Sequence, residues 1–266
     1  MFSSSPAPPP ALPLIPGSHN SCSIDVTCLS PGTPPAAAAS LFSAALSSAE
    51  AAEHTAVWCH VPTTHTHALP FLYSHGFSNH HANSTHIALS LWLSPEPSRI
   101  PDYATHQIGV GAVVLNSNNE LLVVREAGRN YARWKLPGGL SDVGESLGEA
   151  AEREVLEETG VRASFESVVA FRHSVNGQFG RGDIYFVSRL KPVEESQVPV
   201  PQAGEIEDAR WLPLDEYARI IKEDGHPFMQ HVVDRLREGG KIEAQWLPSI
   251  VPGRKPSPIY SVPTKH

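Results

Sequence analysis

At 266 residues with 41% apolar side chains, the chain has room for a real core and for two modest domains, or one domain with a long extension. A net charge of −8 leaves no basic footprint for nucleic acid, so a phosphate-bearing ligand would need cations supplied locally. Three cysteines (Cys22, Cys28, Cys59) are too few and too scattered for a disulfide framework or a zinc site, and no apolar run is long enough to span a membrane. These features point to a reducing, cytoplasmic compartment. The first Lys or Arg is Arg99, which argues against a secretory or transit peptide, although the Ser-rich, acid-poor start leaves organelle import open.

Residues 1–13 (MFSSSPAPPPALP) are too rich in Pro and Ser to pack and are expected to form a mobile, disordered tail. Residues 1–98 hold four acids, nine of the fourteen histidines and no Lys or Arg. Within them, strands are expected near 23–29, 56–60 and 86–93, and helices at 36–53 and 66–75. This alternation predicts a small α/β domain over 14–98. The three prolines of PEPSRIPD mark a linker, placed at 99–104. A second domain is expected over 105–240. It opens with apolar strands at 109–116 and 121–126, whose SNNE connection signals a hairpin. A Pro-Gly-Gly loop spans 133–140 and a helix spans 146–159. Strands follow at 165–172, 183–190 and around Trp211, then helices at 214–222 and 226–238. Residues 241–266 read as a Pro-rich tail.

The stretch GGLSDVGESLGEAAEREVLEETGV (138–161) carries seven carboxylates and one base, Arg153. Like charges three and four positions apart on a helix repel, so either solvent screens this face or a cation compensates it. Ser146 and Glu149 form a capping box, and Gly160 stands at the C′ position. On a helical wheel, Glu154, Glu157 and Glu158 share the arc of Leu147, Ala150 and Ala151, while Glu149 and Glu152 lie on the opposite, solvent side. Carboxylates facing protein cannot all stay ionised without a cation, and hard oxygen donors suit Mg²⁺ or Mn²⁺. Arg153 can fork onto Glu157 one turn on, and the Gly138–Gly139 pair allows a backbone carbonyl to approach a metal.

Gly139, five residues, Glu145, seven residues and then REVLEETGV (153–161) match every fixed position of the Nudix box, which the segment resembles. That resemblance implies a Nudix α/β/α sandwich with a mixed sheet, and metal-dependent hydrolysis of nucleoside diphosphates linked to another moiety. It implies Glu154, Glu157, Glu158 and the Gly139 carbonyl as metal ligands, Arg153 as the residue orienting Glu157, and Glu145 as a supporting acid. TAVWCHVP (55–62), GFSNHHA (76–82), THQIGVGAVV (105–114), WKLPGG (134–139) and FGRGDIYFV (179–187) are similar to the subgroup with a pre-Nudix N-terminal domain. This subgroup includes plant-type ADP-ribose/NADH pyrophosphatases and their animal relatives. Its N-terminal domain looks acetyltransferase-like. No glycine-rich loop for acetyl-coenzyme A is present here, so a role in packing or homodimerisation is expected. The subgroup's second histidine after His173 is replaced by Val175.

For the substrate, the resemblance implies ADP-ribose or NADH with release of AMP. Phosphate-binding cations are sought among Lys135, Arg125 and Arg172, and a base-stacking ring at Trp134 or Phe171, the latter expected to pack in the core. A further acid, the candidate general base, is Glu205 or Glu207 in GEIEDARW. The downstream markers for ADP-ribose (a proline past the box) and for NADH (an SQPWPFP-type run) are absent from 162–178. The RGD tripeptide at 181–183 and the histidine pairs 65/67 and 80/81 are read as compositional. The alternative function is a regulatory or interaction protein on a Nudix scaffold.

Overall fold

Four sheets are formed among the residues that the computed structural model describes, which are 12–128, 133–175, 177–247 and 256–262. The expected tail at 1–13 lies outside the described residues up to position 11. The chain divides into two compact units at Ala104/Thr105.

The first unit runs β1 (Leu14–Pro16), β2 (Ser21–Ile24), α1 (Pro35–Ala51), β3 (Ala56–Pro62), a 3₁₀ segment (Thr63–Ala68), α2 (Leu69–Ser74), β4 (Ser78–Ala82) and β5 (His86–Trp92). Its five strands are ordered β1-β2-β3-β5-β4, with β2 and β3 parallel and joined through α1. Ala38, Phe42, Ala45 and Ala49 form the buried stripe of α1 and pack with Val57, Cys59 and Val61 of β3. Strands β1 and β4 add to the expected elements, and two boundaries differ by three residues or more. The strand near 23–29 stops at Ile24 because the Asp25 carboxylate accepts hydrogen bonds from the Thr27 N–H (2.9 Å) and hydroxyl (2.7 Å), which turns the chain. The helix expected at 66–75 begins only at Leu69, since Pro70 is tolerated in a first turn and not in a helix interior.

The second unit comprises β6 (His106–Val114), β7 (Glu120–Glu126), α3 (Leu147–Thr159), β8 (Ala163–Ser174), β9 (Gly182–Pro192), β10 (Ile206–Pro213), α4 (Leu214–Glu223), α5 (Pro227–Arg237), β11 (Glu243–Leu247) and β12 (Ser257–Ser261). A mixed sheet has the order β6-β9-β8, parallel between β6 and β9, and β7 pairs antiparallel with β10. Side chains alternate between two cores. Val110, Ala112, Val114 and Leu122 pack with Ala150, Ala151 and Val155 of α3. On the other face, Val113, Leu121 and Val123 pack with Tyr217 of α4 and Val232 of α5. The result is an α/β/α sandwich. No helix among the described residues is long and apolar enough to cross a membrane.

The predicted hairpin between β6 and β7 forms only at its turn, where Leu115 bridges Leu121. Beyond it the strands part, because residues 135–141 insert between them. Val124 and Lys135 exchange two backbone bonds of 2.9 Å, while the carbonyls of Pro137 and Gly139 accept from the N–H groups of Ala112 (2.8 Å) and Val110 (2.9 Å). Gly138 permits this approach: its φ is +153°, and a Cβ there would lie 2.1 Å from the Val110 carbonyl oxygen. The stretch 241–266 is more than a Pro-rich tail. Strands β11 and β12 pair antiparallel, and Ile242 bridges Val168 of β8. Pro258 lies in β12, an edge strand of this two-stranded pair, where proline is tolerated.

Helix α3 starts in a complete capping box: Ser146 Oγ accepts from the Glu149 N–H (3.3 Å), and Glu149 Oε2 from the Ser146 N–H (2.8 Å). Ser146→Ala should lower stability by about 1 kcal/mol, seen as an earlier urea midpoint with unchanged slope, and Ser146→Asp should restore most of it. An unmoved midpoint in the alanine variant would mean that packing alone fixes the start of α3.

Candidate active site

The α3 glutamates fall into different environments. Glu158 is buried, with 4% of its side chain exposed. Its Oε2 accepts from the Gly138 N–H at 2.9 Å and its Oε1 lies 3.7 Å from Lys135 Nζ. Burial pushes its carboxyl up to about 7 against the opposing pull of Lys135 and the Gly138 N–H, and the charges of Glu154 and Glu205 add to the rise. Glu154 is also raised by burial, and it packs against Gly139, where a Cβ would lie 2.6 Å from Glu154 Oε1. Glu157 departs from the wheel expectation: half its side chain (51%) is exposed, because it sits at the edge of the buried arc. Glu152 departs the other way, since its Oε1 accepts from the Phe165 N–H at 2.7 Å instead of facing solvent.

Arg153 gathers the remaining acids. Its Nε and Nη2 hold the two oxygens of Glu145 at 2.7 and 2.9 Å, and Nη1 reaches Glu154 (2.9 Å) and Glu157 (3.2 Å). Nη2 also donates to the Leu140 carbonyl at 3.0 Å. The bidentate pair with Glu145 dominates, so Glu145 anchors Arg153 and Arg153 in turn orients Glu154 and Glu157. The guanidinium beside it holds the Glu145 carboxyl below the usual carboxylate range, helped by the Asp142 N–H at 2.8 Å.

Among the described residues, no three His, Cys, Asp or Glu side chains stand ready as a metal cage. The reason is visible in the pairing: Glu154 and Glu157 are drawn to Arg153, and Glu158 to Lys135 and Gly138. The chemistry of the donors nevertheless fits a hard divalent cation. All are oxygens, the two buried carboxyls carry like charge that a cation would relieve, and the Gly139 carbonyl keeps a second lone pair beyond its bond to Val110.

A cavity of about 460 Å³ adjoins this group, lined at one end by Glu126, Lys135 and Gly138 and elsewhere by Trp134, Tyr185 and Phe228. Arg172 lines it too, held by Asp183 (3.1 Å) with its guanidinium 5.6 Å from the ring centres of both Tyr185 and Phe228. Asp183 thereby gives the RGD tripeptide a structural use. Two other candidates stand outside the cavity lining. Arg125 does not line the cavity: it pairs with Glu207 (3.4 Å) and Asp208 (3.7 Å) and lies over Trp134. Phe171 is neither core nor cavity wall, being 56% exposed against Phe186. Of the two downstream acids, Glu205 acts electrostatically on Glu154 and Glu158, whereas Glu207 is tied to Arg125. Tyr185, Phe228 and Glu126 escaped the sequence reading. A half-buried tyrosine facing Gly111 of β6 becomes legible only once the parallel β6/β9 register is known.

An acidic helix laid against a Gly-Gly loop, in an α/β/α sandwich with an aromatic and cationic cavity beside it, defines a Nudix-type domain. Comparison with known proteins agrees: the NUDIX domain family matches residues 105–236, and a Nudix hydrolase domain family matches 19–93. The chain belongs to the Nudix hydrolase family. It is 33% identical over 212 residues to Nudix hydrolase 7 of Arabidopsis thaliana, covering 77% of this chain and 74% of that protein. It is 46% identical over 141 residues to human nucleoside diphosphate-linked moiety X motif 6, covering 52% and 45%. A solved NUDIX hydrolase from Nitrosomonas europaea is similar at 25% identity and a TM-score of 0.43, covering 51% of this chain and 90% of that one. The chain spans about half the length of some relatives it matches, 45% for the human protein and 55% for Nudix hydrolase 8 of A. thaliana.

Because the Glu154 carboxylate occupies the space a Gly139 side chain would need, Gly139→Ala should turn Glu154 aside without unfolding the domain. Calorimetric titration with Mn²⁺ should show weakened binding at a nearly unchanged melting temperature. Undiminished binding would show that Gly139 and Glu154 hold no cation.

Proposed function

We propose that the protein hydrolyses the diphosphate bridge of nucleoside diphosphate derivatives with Mg²⁺ or Mn²⁺, and that ADP-ribose or NADH is the substrate and AMP one product. The observation that carries this reading is the placement of Glu158 behind Gly138, next to a cavity lined by Lys135, Arg172 and aromatic rings. The name of the human relative, which refers to a nucleoside diphosphate-linked moiety, supports the substrate class.

Glu154, Glu157, Glu158 and the Gly139 carbonyl would hold the cation. When bound, such an ion neutralises charge on the non-bridging phosphate oxygens and polarises a water. Arg153, locked by Glu145, fixes the directions of Glu154 and Glu157. Glu205 takes the proton as the water oxygen adds to phosphorus, and the bond from that phosphorus to the bridging oxygen breaks, leaving that oxygen with the second phosphate. Lys135 and Arg172 balance the charge of the phosphates in the cavity, while Trp134, Tyr185 and Phe228 supply walls for the base.

Purified protein given ADP-ribose or NADH with Mg²⁺ or Mn²⁺ should release AMP, followed by chromatography. Glu157→Gln and Glu205→Gln should each lower kcat roughly a hundredfold or more. The proposal fails if no substrate yields AMP, or if Glu157→Gln releases it as fast as the parent.

A further inference from the structure

Glu158 differs from the other α3 glutamates in which cation answers it. Arg153 engages Glu145, Glu154 and Glu157, whereas the ammonium beside Glu158 belongs to Lys135, 3.7 Å away. That ammonium is held more closely by Glu126, at 2.6 Å. The Lys135 main chain is fixed by two bonds to Val124, so only its flexible four-carbon stem can move. Lys135 and Glu126 both line the cavity, while Glu158 is buried behind its rim.

We propose that Lys135 is the internal counter-ion of Glu158, displaced into the cavity toward substrate phosphate when a divalent cation takes Glu158, and that Glu126 is the positioning residue that retains it there. This rests on the reading of Glu158 as a metal-binding carboxylate. Two cations cannot share that oxygen without repulsion at short range, so the ammonium competes with the metal. Glu126 keeps the displaced charge in the cavity, where a diphosphate can use it. The arrangement couples the two ligands: the charge that metal releases is the charge that substrate needs.

A purely structural ion pair would not move the Kd for metal and the KM for substrate in opposite directions, and that contrast is the test. Mn²⁺ should be titrated calorimetrically into the metal-free 266-residue chain, without substrate, for the parent, Lys135→Met, Lys135→Arg, Glu126→Gln and Glu158→Gln. Lys135→Met should bind Mn²⁺ on the order of ten-fold more tightly, yet show a raised KM for ADP-ribose. Glu126→Gln should bind Mn²⁺ more weakly, because Lys135 is then free to lean on Glu158. Lys135→Arg should return both quantities toward the parent. Loss of Mn²⁺ binding in Glu158→Gln with no gain in Lys135→Met would overturn the proposal and leave the metal site standing. Parent-like binding by Glu158→Gln would overturn the site reading, and this proposal with it.

Discussion

The main chain of residues 135–141 lies between β6 and β7, bonded to Val124 on one side and to Ile108, Val110 and Ala112 on the other. Buried backbone groups must find partners, and this insertion satisfies strand edges that would otherwise have paired with each other. In doing so it sets Lys135, Gly138 and Gly139 in a row beneath α3. The Gly138 N–H points at Glu158 and the open side of Gly139 receives Glu154. A side chain at Gly138 would strike the β6 backbone, and one at Gly139 would strike the carboxylate. The glycine pair therefore serves two ends. It lets the segment fit between the strands, and it leaves room for two acids to be buried.

Burying those acids is costly unless each has a partner, and the protein divides the work between two cations. Arg153 is planar and bonded at every arm, so it fixes geometry. Lys135 is a point charge on a flexible stem between two carboxylates. The pairing also explains how an acidic chain can present cationic groups to a phosphate: Lys135 and Arg172 both line the cavity, and each is held by one of the protein's own acids.

How far the sequence reaches depends on the range of the interaction. Capping, helix length and the placement of Gly160 are local and were legible in residues 146–160. The boundary of α1 and the strands β3, β5, β8 and β9 followed from periodicity alone. Long-range choices were not legible. The SNNE turn is a real turn, yet the strands it joins take other partners because a segment further along the chain inserts between them. Glu157 and Glu152 differ from their wheel positions because the wheel knows an angle and not where the neighbouring sheet ends. Arg125 was a reasonable phosphate ligand by charge. It is turned away by Glu207 and Asp208 on β10, a pairing that the β7/β10 register creates.

The sandwich sets the acidic residues and the cavity's helices on opposite faces of the sheet. The acidic residues ride on α3, packed on one face of the sheet, whereas Tyr217, Ile221, Phe228 and Met229, which line the cavity, come from α4 and α5 on the other. Gly138 belongs to both, lining the cavity and donating to Glu158. A bulkier residue there would close the contact between the two layers. Sequence change on α5 can thus reshape the cavity at a distance from the carboxylates, which meet its lining at Gly138 and Lys135.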